Sequence, residues 1–217
     1  MVECSVLELR QYTVHAERRD DLVALFDRHF VDSQEACGAR IFGQFRDVER
    51  PDRFVWLRGF ASMDTRPSAL DAFYGSPVWK ERSAAANACM VDVDDVLLLR
   101  PILPLAGLES RPDGVQDEAT AVICAEILTL RDPLPVPDAR AVLEQRATEE
   151  ALLGAFVEEP APNNWPALPV RSGEHLLVTI TRGTPTDLGP ALHDLFGVQS
   201  QARQALRLAP TPGSRLR

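Results

Sequence analysis

The sequence predicts an α+β fold in which one element order, βαββαβ, occurs twice in tandem. Three observations predict it. Apolar alternation and helical periodicity mark six elements before residue 103. Residues 103–120, LPLAGLESRPDGVQDEAT, then mix proline, glycine and acidic residues without periodicity, as linkers do. Six elements in the same order follow. The chain of 217 residues divides accordingly into a first unit at 1–102, a linker at 103–120 and a second, divergent unit at 121–217.

In the first unit, strands are predicted near 4–13, 39–47, 53–61 and 93–101, where residues alternate with the period of two of a pleated strand. Helical spacing fits 17–36 and 75–90. Within the first helix Leu22, Leu25, Phe26, His29 and Phe30 form one apolar stripe that must pack on a sheet. Ser76 before Pro77 reads as an N-cap followed by proline at the first helical position. In the second unit AVICAEILTLR is a strand, 138–152 a helix, LLGAFVEE and HLLVTITRG strands, 185–196 a helix and ALRLAP the last strand. Local likenesses accompany the repeated order: Glu8 and Glu126 lie in first strands, and Arg58-Gly59 and Arg182-Gly183 near the ends of third strands. LLLRP in the first unit is answered by LRLAP in the second. A βαββαβ unit with helices on one sheet face leaves the other face bare. Two ferredoxin-like units in one chain are therefore expected to pack sheet to sheet as an intramolecular α+β barrel.

The first strand, VLELRQYTV, carries leucines on one face and Glu8, Arg10 and Tyr12 on the other. The same alternation groups Trp56, Arg58 and Phe60 on the third strand, Phe42, Gln44 and Arg46 on the second, and Leu98 with Arg100 on the fourth. Placing Val55 and Leu57 on the helix side directs Glu8, Arg10, Tyr12, Gln44, Trp56, Arg58, Phe60 and Arg100 into the barrel, provided no bulge shifts the parity. Two readings of this face are open. It is either an ion-pair layer holding the halves in register, with Glu8 on Arg10 or Arg58, or a lined cavity whose surplus guanidiniums take a carboxylate or phenolate beside aromatic walls. His175, with the parity of Leu177, Thr179 and Thr181, is expected to face inward as the general-base candidate of the second unit, and Glu8 as the carboxylate candidate of the first. His29, on the apolar helix stripe, reads as a core residue. The segment 160–173, PAPNNWPALPVRSG, is long for a hairpin connection, and Trp165 at its centre is placed to cover a pocket mouth or pack on a helix edge.

The ordered motifs ELRQY, GQFRD, DRFVWLRGF, AFYGSPVW and VLLLRP make the first unit resemble the NIPSNAP family, whose domains belong to the dimeric α+β barrel superfamily. The second unit, through LPVRSGEHLLV and LRLAPTPGSRLR, resembles the later portion of bacterial tandem-domain members. The resemblance implies a barrel and a cytoplasmic bacterial protein, in a superfamily that includes cofactor-independent monooxygenases, haem enzymes and isomerases. The resemblance implies little chemistry by itself; the surplus of guanidiniums on the polar face points to a barrel protein binding a small, apolar, anionic metabolite, as a cofactor-independent isomerase or monooxygenase if it is an enzyme. The alternative is a non-catalytic interaction protein with a fully packed barrel. A cavity of roughly 300 Å³ beside Arg58 favours the first, and a filled interior the second.

Composition narrows the partners. The formal net charge of −9 argues against nucleic acid and anionic membranes, leaving a small molecule and a homodimer of tandem-repeat chains as the partners to expect. No nucleotide fingerprint, metal-ligand spacing or distinguished haem ligand occurs, so no cofactor or metal is expected. MVECSVLELR lacks an apolar leader, consistent with a cytoplasmic location, and no stretch is long and apolar enough to span a bilayer. The four cysteines, Cys4, Cys37, Cys89 and Cys124, show no disulfide framework. Alkylation of the unfolded protein without reductant is expected to add four labels by mass; a loss of two would reveal a bonded pair.

Overall fold

The computed structural model describes residues 4–111, 122–149, 151–183 and 189–217. The first half runs β1 (Val6–Val14), α1 (Arg19–Leu25), α2 (Val31–Ala36), β2 (Arg40–Asp47), β3 (Arg53–Phe60), α3 (Arg66–Tyr74), α4 (Pro77–Asn87) and β4 (Met90–Leu103). The second runs β5 (Ile123–Leu130), α5 (Val136–Glu149), β6 (Leu152–Glu158), β7 (His175–Arg182), α6 (Gly189–Phe196) and β8 (Ser200–Pro210). A π-helical turn, Phe26–Phe30, joins α1 to α2 within the first predicted helix. The extra residue of such a turn rotates the stripe, and Phe26 and Phe30 meet edge to face beneath it. Ser76 caps α4 as its position suggests, its hydroxyl accepting from the Trp79 amide at 3.2 Å. Helix α3 has no counterpart among the sequence-predicted elements.

The eight strands close into one antiparallel barrel in the order β1-β3-β2-β8-β5-β7-β6-β4. Each half contributes the same internal order, β4-β1-β3-β2 and β8-β5-β7-β6, as ferredoxin-like units do. Two seams join them, β2 to β8 through Phe45↔Pro210, and β4 to β6 through Leu99↔Glu158. The expected linker is tied down at its start: the Ala106 amide donates to the Leu153 carbonyl, and Leu108 bridges Leu216. Its remainder, 112–120, lies outside the described residues, as does the 185–188 portion of the fourth predicted helix.

The barrel interior is apolar. Leu7, Leu9, Val55, Leu57, Leu97 and Leu99 interdigitate there with Ala125, Ile127, Phe156 and Val178 of the second half. Filling by side chains is the usual state of an eight-stranded barrel. This reverses the expected sidedness: Val55 and Leu57 point into the barrel, while Trp56, with Tyr12, packs under the helices against Phe26 and Phe30. The polar face of β1 and β3 therefore lies between sheet and helices, and the halves are held together by aliphatic packing. On β2 a register shift between Ile41 and Gly43 separates Phe42 from Gln44, contrary to the simple alternation. Phe42 turns into the barrel with Phe45, whereas Gln44 bonds Asp27 on the helix side at 3.1 Å.

Gly43 sits at that shift because its Cα crosses the Phe45 ring: a Cβ there would lie 2.4 Å from Phe45 Cζ. Phe45 is fully buried in the barrel and cannot swing away. Gly43→Ala is expected to cost about 1 to 3 kcal/mol through overpacking, read as a lower midpoint with unchanged slope in urea unfolding.

Candidate functional site

Glu8 is fully buried at the centre of β1. Its register partner on β3 is Arg58, and Arg10, two residues on, shares its face. Arg58 Nε donates to Glu8 Oε2 at 2.8 Å, and Arg10 Nη1 donates to the same oxygen at 2.7 Å. The third partner comes from α3: Arg66, also fully buried, donates from Nε to Oε1 at 2.7 Å. One carboxylate thus faces three guanidiniums. The other acceptors on them are uncharged: the Tyr12 hydroxyl on Arg10 Nε at 3.0 Å, Gln34 Oε1 on Arg58 Nη1 at 2.9 Å, and Asn163 and Asn164 Oδ1 on Arg66 Nη1 at 3.0 and 2.9 Å. Arg10 Nη2, Arg66 Nη2 and the neighbouring Trp56 Nε1 are buried without a hydrogen-bond partner. The cluster carries a formal surplus of two positive charges and spare donors. Buried charge of that kind requires a counter-charge to be tolerated.

Burial alone would raise the Glu8 carboxyl, but the charges of Arg58, Arg10 and Arg66 outweigh it and hold the group well below its ordinary value. Glu8 is therefore a fixed anion and a poor proton acceptor at neutral pH. In this arrangement the carboxylate that sequence offered as a catalytic candidate is the counter-ion of three guanidiniums. Burial pushes the Tyr74 phenol up, so it persists as a hydroxyl beside the cluster.

Next to the cluster is an aromatic cavity of about 40 Å³, lined by Tyr12, Phe26, Phe30, Gln34, Trp56, Phe73, Tyr74 and Trp79 among others. Gln34 and Trp56 connect the two: Gln34 lines the cavity and bonds Arg58, and the Arg10 and Arg58 guanidiniums lie 5.4 and 5.0 Å from the Trp56 ring. Phe60, fully buried, underlies Arg58 and Arg66 at 5.4 and 5.9 Å. The strap between β6 and β7 closes one side. Trp165 stacks on Tyr74 at 5.0 Å and 19°, and its Nε1 donates to Asp71 at 2.8 Å.

The sequence-derived candidates separate accordingly. Glu8, Arg10, Tyr12, Trp56, Arg58 and Phe60 form one cluster, with Trp165 at its rim. Gln44 is buried but turned to Asp27, and Arg100 is exposed on the outer surface. His175 faces outward rather than into the barrel, its side chain 42% exposed, with Nδ1 3.1 Å from Glu158 Oε1. Strands β4 and β6 lie between its strand and Glu8's, three spacings or about 14 Å. His175 borders a separate groove of about 320 Å³ under the strap, lined by Glu158, Glu159, Arg171 and Glu174 among others. The residues that sequence reasoning missed are Gln34, Arg66, Asn163 and Asn164. Gln34 was readable as a polar residue four after Phe30 on the buried stripe; Arg66 belongs to the unforeseen α3. Among the described residues no cluster of three His, Cys, Asp or Glu is placed to hold a metal ion.

The second half lacks this constellation. With Glu126 in the place of Glu8, strand register puts Thr179 where the first half has Arg58, and Leu128 where it has Arg10. Arg182 pairs with Ile123, three positions from the site, so the resemblance of Arg182-Gly183 to Arg58-Gly59 is not a structural correspondence. Glu126 takes Arg203 of β8 as its partner instead.

Two ferredoxin-like halves closed into one eight-stranded sheet place this chain among the α+β barrels. Residues 7–103 match the model of the NIPSNAP family. Over the whole length the fold is similar to that of a candidate monooxygenase from Lactobacillus acidophilus, with TM-score 0.60 and 12% identity, covering 96% of this chain and 94% of that one. A candidate monooxygenase from Fusobacterium nucleatum aligns with TM-score 0.58 and 9% identity, over 97% and 94% of the two chains. A NIPSNAP family protein from Agrobacterium tumefaciens aligns with 46% of this chain and 87% of its own, with TM-score 0.42 and 16% identity. At these identities the likeness is one of fold. A search of curated proteins finds no match. No helix among the described residues is long and apolar enough to cross a membrane.

Glu8→Gln leaves three buried guanidiniums without their anion and is expected to cost about 3 to 5 kcal/mol of stability. Because the folded carboxyl lies below its unfolded value of 4.5, its contribution is fully present above that value and declines as pH falls toward the folded one. Urea unfolding from pH 7 to pH 3 is therefore expected to show a steeper acid loss in the wild type than in Glu8→Gln.

Proposed function

We propose that the first half binds a small metabolite with an anionic group and an apolar body, the anion at the guanidinium cluster and the body in the aromatic cavity. The observation that carries this reading is the buried surplus of charge: three guanidiniums, one carboxylate, and unpartnered donors on Arg10, Arg66 and Trp56 facing the requirement for a counter-anion. A ligand oxyanion supplies the missing charge and accepts the spare hydrogens at once. The cavity is small as it stands, so binding enlarges it by moving the surrounding side chains or the strap.

The same arrangement suits chemistry on an enolate or phenolate. Guanidiniums stabilise such an anion relative to its neutral form and so ease its formation. A carbon acid held this way is set up for reprotonation at a different position, which is isomerisation, or for addition of dioxygen to the carbanion and loss of water from the resulting hydroperoxide to leave a carbonyl, a monooxygenation whose electrons come from the substrate itself. The names of the Lactobacillus and Fusobacterium proteins support the second. Glu8 is the counter-ion of the cluster in either reaction, and a base must come from the substrate, solvent or another side chain. The cavity beside the cluster, about 40 Å³, is below the roughly 300 Å³ expected of a ligand site, and the barrel interior is packed; both favour the other reading, an interaction protein working through its outer surface.

Benzoate and its neutral analogue benzamide separate the two. Benzoate is expected to raise the melting temperature in proportion to the logarithm of its concentration, and benzamide to leave it unchanged. Arg58→Gln is expected to weaken benzoate binding about ten- to a hundredfold in calorimetry. Acid and amide acting alike, or neither acting, would overturn the anionic-ligand reading. Oxygen uptake with phenolic and enolisable acids, set against deuterium exchange from solvent, then distinguishes oxygenation from proton transfer.

A further inference from the structure

We propose that Arg66 is the ligand's anchor, that the ligand is an arylcarboxylic acid, and that the strap tripeptide Asn163-Asn164-Trp165 occupies its place in the unliganded protein. The inference rests on the anionic-site reading above and specifies its ligand and the residues that exclude it.

Arg66 Nη1 carries two carboxamide oxygens, from Asn163 at 3.0 Å and Asn164 at 2.9 Å, while the adjacent Nη2, equally buried, has none. That distribution saturates one nitrogen and neglects its twin. A carboxylate spanning Nη1 and Nη2 would satisfy both with the paired geometry that guanidinium favours, and would bring the charge that carboxamides lack. The next strap residue, Trp165, lays its indole on Tyr74 at 5.0 Å and 19°. Tyr74 also walls the aromatic cavity. Three consecutive residues thus present two oxygens to an arginine and a flat ring to a tyrosine, the outline of an aromatic acid.

The strap is fastened by few bonds. Asn164 Nδ2 donates to the Met63 carbonyl at 2.6 Å, Trp165 Nε1 donates to Asp71, and the Glu159 and Arg171 amides hold its two ends to β4. Between those ends Trp165 and Leu168 also pack on Phe60, Ala69 and Leu70, so lifting the segment as a unit breaks this patch together with the Arg66, Met63 and Asp71 contacts. Lifting exposes Nη1 and the Tyr74 face together, so ligand and strap compete for one surface. The apparent affinity is then the intrinsic one reduced by the fraction of molecules with the strap open.

Phenylacetate, titrated calorimetrically into the wild type and into a strap variant carrying Asn163→Ala, Asn164→Ala and Trp165→Ala, tests this directly. The variant is expected to bind at least about tenfold more tightly, and adding Arg66→Gln to it is expected to abolish the gain. Hydrogen exchange gives a second reading that needs no variant: phenylacetate bound to the wild type is expected to increase exchange at the strap amides of 161–168. Phenylacetate bound equally by wild type and strap variant, with strap exchange unchanged, would overturn the competition while leaving an anionic site elsewhere in the cluster. Failure of both proteins to bind phenylacetate or benzoate would overturn this inference and the reading it rests on.

Discussion

The Glu8 carboxylate organises the first half of this protein. It is the one charge that makes three buried guanidiniums tolerable, and those guanidiniums come from three separate elements: Arg10 from β1 itself, Arg58 from β3 and Arg66 from α3. Each contact fixes a relation between elements that apolar packing alone leaves adjustable. Arg58 locks the β1–β3 register that places Tyr12 and Trp56 side by side. Arg66 pins the start of α3 against the sheet, which sets Phe73 and Tyr74 over the cavity. Gln34, bonded to Arg58 and to the Phe30 carbonyl, extends the network into α2 just after the π-turn. A polar network so enclosed is specific in a way aliphatic packing is not, because its hydrogen bonds form in one arrangement only. It is also incomplete in charge, which is why it reads as a site as well as a scaffold.

Most of the architecture was legible in the alternation and periodicity of the chain. Twelve elements in a repeated order are local patterns, and the Glu8, Arg10, Tyr12, Trp56, Arg58 and Phe60 grouping follows from a period of two. What alternation cannot say is which side of a sheet a face occupies. Both faces of β1 and β3 are buried, one under the barrel and one under helices, so burial does not discriminate them. The choice was made by the remaining strands: Ala125, Ile127, Val178 and Leu206 offer aliphatic partners, and Leu7, Leu9, Val55 and Leu57 meet them. The aromatic stripe of the first helix already pointed the same way, since Phe26 and Phe30 pack well on Tyr12 and Trp56. Parity along β2 failed for another reason, a register shift around Gly43 that no periodic reading anticipates. Arg66, Asn163 and Asn164 reach the site from a short helix and a strap, and long-range contacts of that sort leave no local trace.

The halves share their strand order and have parted in their chemistry. A barrel assembled from two identical chains presents every residue twice and must keep both copies equally serviceable. Joining the halves in one chain lifts that constraint. The positions equivalent to Arg10 and Arg58 hold Leu128 and Thr179, while the second half contributes the strap that closes over the first. One half holds the charged cluster and the other supplies its cover.

The seam between β2 and β8 has a consequence for how the chain reaches this state. It pairs Phe45 with Pro210, so a strand made early in synthesis waits for one made among the last. Until then the inward leucines of β1 and β4 and the inward Val55 and Leu57 have no second sheet to cover them, although the outer face of the same strands is already dressed by its helices. The nascent first half is thus finished on one side and adhesive on the other. Its protection during translation is a matter of how quickly the second half arrives, and a pause in synthesis between the two would be felt as aggregation rather than as a slow but faithful closure.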